Sequence, residues 1–416
     1  MESRFKKTIR VSLDQSFIII FLIISTILMW HYRGGGRDLN LYIVAGSKIL
    51  NGENPYADSE YANSPLGAVL IYSFSLLVSH HVFPYMIQFL NILGILFFAV
   101  YISKVHFNQF NFGLSLIACV LSTPYRALIA NVQVTGIILG LFVVSVKLCC
   151  SKNFYKEFLG FCFIGIALEI KPQIALPFAV YVFIKNWKTK SFLMFSMFFI
   201  VLHFLLDLFY GAILEILWID KIKAFSDKSF MSGPEISIWK FLVSFLDSNE
   251  VIQTLTFFAM VVFYVVLFSS IRANSPYVLT IISFAPMLSS YTHMYDLIPF
   301  IILIGVRSIF SVNFKILALT VLIVPPQINF FNFGSIVVIC LSACGAFVIL
   351  RKTLRLKSLW CSLAYSILVL FLSYSYSAGD IELELSARLI FLIPLLILEL
   401  RRISNLEGWR ISSRSE

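Results

Sequence analysis

His31-Tyr-Arg-Gly-Gly-Gly-Arg-Asp38 closes the first long apolar run of this chain, which extends from about Val11 to Tyr32, and sets an acid just beyond it. As a helix rising about 1.5 Å per residue, such a run is long enough for roughly 30 Å of hydrocarbon. Arg4, Lys6, Lys7 and Arg10 precede it, which predicts a cytoplasmic N-terminus and puts Asp38 at the far membrane surface. A cleaved signal peptide is the alternative. Against it, no small-x-small site precedes Arg33 and Arg37, and further apolar runs follow.

Composition carries the same expectation along the chain. Of 416 residues, 59% are hydrophobic and 13% charged, whereas a soluble domain has about a quarter charged. The net charge of +10 comes from cations that flank apolar runs and form no base-reading module, so no nucleic-acid partner is expected. The seven cysteines lie nearly all within apolar runs and never at metal-ligand spacing with histidine. Neither disulfides nor a metal or other cofactor is expected.

Basic clusters at Lys147, Lys152 and Lys156, at Lys185, Lys188 and Lys190, at Arg351 to Lys357 and at Arg401-Arg402 mark cytoplasmic turns. Between them the expected spans are about Leu128 to Cys149, Phe158 to Ile184 as two limbs broken near Pro172, Ser191 to Gly211, Val251 to Ile271, Tyr277 to Ser290 and Leu297 to Phe310. Four more are expected between Ile316 and Leu400. Of three apolar segments between Pro65 and Pro124, one must re-enter or lie at the surface to keep the count even. The fold class expected is all-α, a polytopic membrane helix bundle with about 12 to 14 crossings. Residues 1–310 are expected as a transmembrane module with an outer loop at 33–63, and 311–416 as additional C-terminal helices and a short tail.

Past Asp38, Leu39, Tyr42, Ile43, Gly46, Ile49 and Leu50 recur at helical spacing, which predicts a short membrane-surface helix stopped by Asn51-Gly52. Asp38 either caps that helix or carries chemistry. The following Asn51-Gly-Glu-Asn-Pro-Tyr56 and Tyr61-Ala-Asn-Ser-Pro65 read as an interfacial tyrosine-bearing turn or as part of a site. Arg126, Asn131 and Gln133 cluster at one end of a span, where amides either bridge helices or meet hydroxyls, and arginine either snorkels or meets phosphate. Glu169 and Lys171 sit at the proline break, two residues apart and so on different faces. A lysine in hydrocarbon costs about 2.5 to 3.5 kcal/mol on insertion scales, so Lys171 either has a partner or snorkels. His293, Tyr295 and Asp296 share one polar turn. His80, His81, His106 and His203 read as interfacial.

In this order of elements the chain resembles the GT-C class of glycosyltransferases, and within it glycosyltransferase family 87, the polyprenyl-phosphate-dependent alpha-1,2-mannosyltransferases. The resemblance rests on Asp38, Tyr42 with Ala45, Gly52 to Pro55-Tyr56, Tyr61 to Pro65, Lys171-Pro172 and the His293 turn. Departures fall at Gly233-Pro-Glu-Ile-Ser237 and at Val132-Gln133. The resemblance implies an inverting glycosyltransferase that moves a hexose, mannose first, from a polyprenyl-phosphate carrier to a hydroxyl of a lipid or glycan acceptor. Asp38 is then the base, Lys171, Arg126 and His293 hold the donor phosphate, and Tyr42, Tyr56, Asn131, Gln133, Glu169 and Tyr295 meet sugar or acceptor. No metal is required. Membrane lipids are partners, and the cell membrane is the location, with both termini cytoplasmic and the site on the other face. The alternative is a transporter or flippase for a lipid-linked or anionic substrate, with Glu169, Lys171 and Arg126 along its path.

Overall fold

A computed structural model of the chain describes residues 2–306, except 33–35, 58–60, 106–108, 152, 188, 212, 233–248, 276–277 and 289–292. The elements expected from 316 onwards, the second unit at 311–416 and the Gly233 to Ser237 departure lie outside the described residues.

The described chain is helical throughout. In order it forms α1 (Glu2–His31), α2 (Arg37–Leu50), α3 (Pro65–Leu76), α4 (Phe83–Val105), α5 (Gln109–Leu121), α6 (Thr123–Ala130) and α7 (Thr135–Cys149). There follow α8 (Phe154–Ile170), α9 (Pro172–Asn186), α10 (Lys190–Tyr210), α11 (Leu214–Ser232), α12 (Asn249–Arg272), α13 (Val278–Leu288), a 3-10 turn (Met294–Leu297) and α14 (Ile298–Val306). Local sequence explains most starts. Ser64, Ser122, Asn153 and Thr189 accept hydrogen bonds from backbone N–H groups one turn inside α3, α6, α8 and α10, the ordinary work of an N-cap. Gly211, at φ 77, ends α10 in the left-handed region that glycine enters without strain.

Two breaks shape the interior. Pro172 has no N–H to continue α8 and disfavours helical backbone at Lys171, so the chain stops at Ile170 and restarts as α9. Between α6 and α7 the chain turns by 102°. Val132 in that turn holds φ 50, a conformation that costs a β-branched residue energy and so must be imposed by its surroundings.

Packing is closest between α4 and α7. A methyl group on Gly94 would overlap the carbonyl oxygen of Gly136, so the two backbones touch there. Below them Phe98, Phe142 and Phe178 join α4, α7 and α9, with Phe142 and Phe178 centroids 4.5 Å apart. Gly67 at the start of α3 rests on the Glu169 carbonyl oxygen in the same way, which anchors the α2–α3 pair against the end of α8. The 3-10 turn packs on α6, and α14 packs on α5.

The expected span count is corrected. Among the described residues, three helical stretches are long and apolar enough to cross a membrane, Phe83–Ser103, Lys190–Tyr210 and Thr254–Arg272, or four if the bent pair Pro124–Ala130 and Thr135–Cys149 is one span. The expected run from Phe158 to Ile184 lies within helices of 17 and 15 residues, while α13 and α14 have 11 and 9. Seventeen residues rise about 25 Å, short of the roughly 30 Å of a hydrocarbon core. The apolar part of the first run, Ser16–His31, is also short. A GT-C-like polytopic bundle of about 12 to 14 crossings is therefore not the architecture of the described chain. The multi-pass cell-membrane location, with both termini cytoplasmic and a site on the opposite face, loses its basis with it. The helix after Asp38 forms, but it buries Leu39, Tyr42, Ala45, Gly46 and Ile49 and packs along α3, where a membrane-surface position was expected.

Candidate functional site

Four separate segments meet at the break between α8 and α9. Lys171, whose side chain is 3% exposed, places its Nζ 2.6 Å from Oδ1 of Asp296, which is fully buried in the 3-10 turn. Thr135, at the start of α7, donates to the same carboxylate oxygen at 3.1 Å, and the His293 amide donates to the other at 3.2 Å. Lys171 also donates to the Gln133 side-chain oxygen at 3.4 Å and to the Thr135 hydroxyl at 3.5 Å. Burial pushes the Asp296 carboxyl up and the Lys171 ammonium down, and each shift is opposed by the partner's charge. Short charged hydrogen bonds of this kind keep such a pair ionised.

Asp38 adds its charge to this centre. It stands in the first turn of α2, half-buried, and its carboxylate acts on Lys171. The N-cap is Gly36, so Asp38 does not cap the helix, although its charge suits the helix start. His293 lies beside the ion pair. Burial and the Lys171 charge push its ring down to about 3, so the ring is neutral near pH 7.

Glu169 faces a different neighbourhood. Its Oε2 accepts from the Ser64 hydroxyl, and its Oε1 lies 3.3 Å from Nε2 of His203 on α10. The other ring nitrogen of His203 is 2.5 Å from Oε1 of Glu215 on α11. The Tyr42 hydroxyl crosses between the two neighbourhoods and donates to the Ile170 carbonyl at 2.6 Å. Tyr56 is buried, stacked on Tyr61 at 5.9 Å, and donates to the Asn63 carbonyl at 3.0 Å.

The expected site residues thus divide. Asp38, Gln133, Lys171 and His293 come together, while Glu169, Tyr42 and Tyr56 line the other side of the break. Asn131 is the C-cap of α6, and Arg126 sits on the helix that packs against the 3-10 turn. The Tyr295 side chain lies outside the described residues. Thr135, Ser64, Glu215 and above all His203 were missed. His203 read as interfacial, and nothing local distinguishes it from the other histidines of apolar helices. Asp296 was legible as part of a polar turn, but its pairing with a lysine 125 positions away was not.

Among the described residues, no group of three or more histidines, cysteines or carboxylates is placed to hold a metal ion. An open apolar groove of about 550 Å³ on α12, lined by Phe257, Met260, Tyr264 and Phe268 among others, includes none of these polar groups. Comparison with protein-family models finds none that matches the chain, and no curated protein matches it.

The span count overturns the functional expectation. Transfer of a hexose from a polyprenyl-phosphate carrier needs a multi-spanning architecture that the described helices do not form. With it go the family 87 resemblance, the glycosyltransferase activity, and the lipid-linked donor, lipid or glycan acceptor and membrane-lipid partners. The transporter or flippase alternative needed the same architecture and goes with them.

Proposed function

We propose that the centre at the α8–α9 break binds a small hydroxyl-rich ligand, with Asp38 as the carboxylate that accepts from it. The observation that supports this reading is the convergence of α2, the α6–α7 turn, the α8–α9 break and the 3-10 turn on one buried ion pair. A buried pair adds little net stability over well-packed apolar residues, so its presence needs another explanation. Perturbed ionisable groups beside a strained turn, here Val132, are a common mark of a functional site. Of the groups gathered, a half-exposed carboxylate, an amide and a neutral imidazole are hydrogen-bond partners suited to hydroxyls.

Thermal unfolding of the full chain with myo-inositol, inorganic phosphate or ethanolamine tests the chemistry. Stabilisation by the polyol that is lost in Asp38→Ala supports the proposal. Stabilisation by phosphate alone, or a polyol response that survives in Asp38→Ala, overturns it. The competing reading is that the pair only ties the 3-10 turn to the bundle, which the full complement of donors around Asp296 favours. That reading requires no response to any of the three probes.

A further inference from the structure

The second neighbourhood is joined by a continuous series of hydrogen bonds, from the Ser64 hydroxyl through Glu169 and His203 to Glu215. A neutral imidazole carries one N–H, and an ionised carboxylate only accepts. Both ring nitrogens of His203 face carboxylate oxygens, so the two bonds coexist only when the set holds one extra proton, most simply as imidazolium. His203 is met by Glu169 from α8, by Glu215 from α11, and by Asp207 and the Phe199 ring from its own helix. Asp207 also interacts with Glu215 and accepts from the Leu214 amide at 2.9 Å.

Apart from this link, α11 is held lightly. Trp218 Nε1 donates to the Ala62 carbonyl at 3.0 Å and Lys221 Nζ to the Tyr56 carbonyl at 3.2 Å. Ile216, Ile219 and Ile222 of α11 are exposed, while Leu214 is buried, Leu217 and Trp218 pack against the core, and the helix makes a slight contact with α3. Under α11 lie the stacked rings of Tyr56 and Tyr61, with the Tyr61 hydroxyl donating to the Ser64 carbonyl at 2.6 Å. Gly211, in its left-handed conformation, joins α11 to α10.

We infer that α11 is a strap closed over Tyr56 and the Tyr61–Ser64 stretch by a proton-loaded His203. Removing the extra proton leaves a bare ring nitrogen facing a carboxylate, and the strap lifts to uncover the tyrosine pair. The inference is independent of the ligand proposed above, because it concerns the opposite side of the break and its test uses no ligand.

Hydrogen–deuterium exchange of the full chain, corrected for intrinsic exchange rates, measures the closure. Between about pH 6 and about pH 10, exchange in peptides of 214–224 and of 54–57 and 61–64 is expected to rise roughly tenfold or more, while α4 and α7 stay protected. His203→Gln should exchange fast at both ends of the range, and Trp218→Phe should exchange faster yet keep the pH dependence. Glu215→Ala breaks the outer bond alone and serves if His203→Gln does not fold. Unchanged protection of α11 across the range overturns the inference, as does the same pH dependence in either His203→Gln or Glu215→Ala.

Discussion

The two sides of the α8–α9 break handle charge in opposite ways. Lys171 and Asp296 are sealed, at 3% and 0% side-chain exposure, and both carboxylate oxygens of Asp296 have donors. His203 and Glu215 sit at 21% and 28%, within reach of solvent. A sealed pair cannot exchange its charge without great cost, so it acts as a fixed strut. A half-open acid–histidine–acid set can gain or lose a proton and still be solvated, which suits it to respond to conditions.

The largest effect should come from breaking the sealed pair. Asp296→Ala leaves Lys171 as an uncompensated buried cation and should cost about 3 to 5 kcal/mol in chemical denaturation. Lys171→Met combined with Asp296→Leu should recover most of that loss, because the apolar pair needs no solvation. If the double variant is as unstable as the single one, the pair is not a simple strut.

Next comes the pH dependence of the sealed side. The His293 ring is held down to about 3, while in the unfolded chain it titrates near about 6.5. Within that window the unfolded chain binds more protons, so stability is full above it and falls as pH drops through it, by at most about 1.4 kcal/mol per unit. His293→Asn should flatten this slope in denaturant titrations at several pH values. A slope unchanged by that substitution would assign the effect to other groups.

Smaller again is the loss from the half-open side. At neutral pH, His203→Gln should cost about 1 kcal/mol, since solvent screens these charges and replaces part of the lost hydrogen bonding. A cost equal to that of Asp296→Ala would remove the contrast between the two sides. The smallest change is Tyr42→Phe, which deletes the hydroxyl bond to Ile170 between them and should cost about 0.5 kcal/mol, read as a shift in denaturation midpoint.

Much of the local structure was legible beforehand. The stop at Asn51-Gly52, the break at Lys171-Pro172, and the placement of Asp38 in the first turn of α2 follow from short-range backbone rules. Those rules act within a few residues and need no partner. The membrane reading failed because it counted apolar runs as spans without testing whether each helix is long enough to cross. Lys171-Pro172 splits one long apolar stretch into helices of 17 and 15 residues, and the turn at Val132 bends another by 102°.

What lay in the residues themselves was therefore the helical character, the breaks, and the unusual presence of Glu169 and Lys171 at one of them. Which charge would answer each was settled by packing alone. Asp296 reaches Lys171 across 125 positions, and His203 reaches Glu169 across 34. The backbone contacts at Gly67 against Glu169 and at Gly94 against Gly136 are part of the close packing that brings these segments together. Coulomb attraction and hydrogen bonding depend on distance in space, and no periodicity along the chain records that distance.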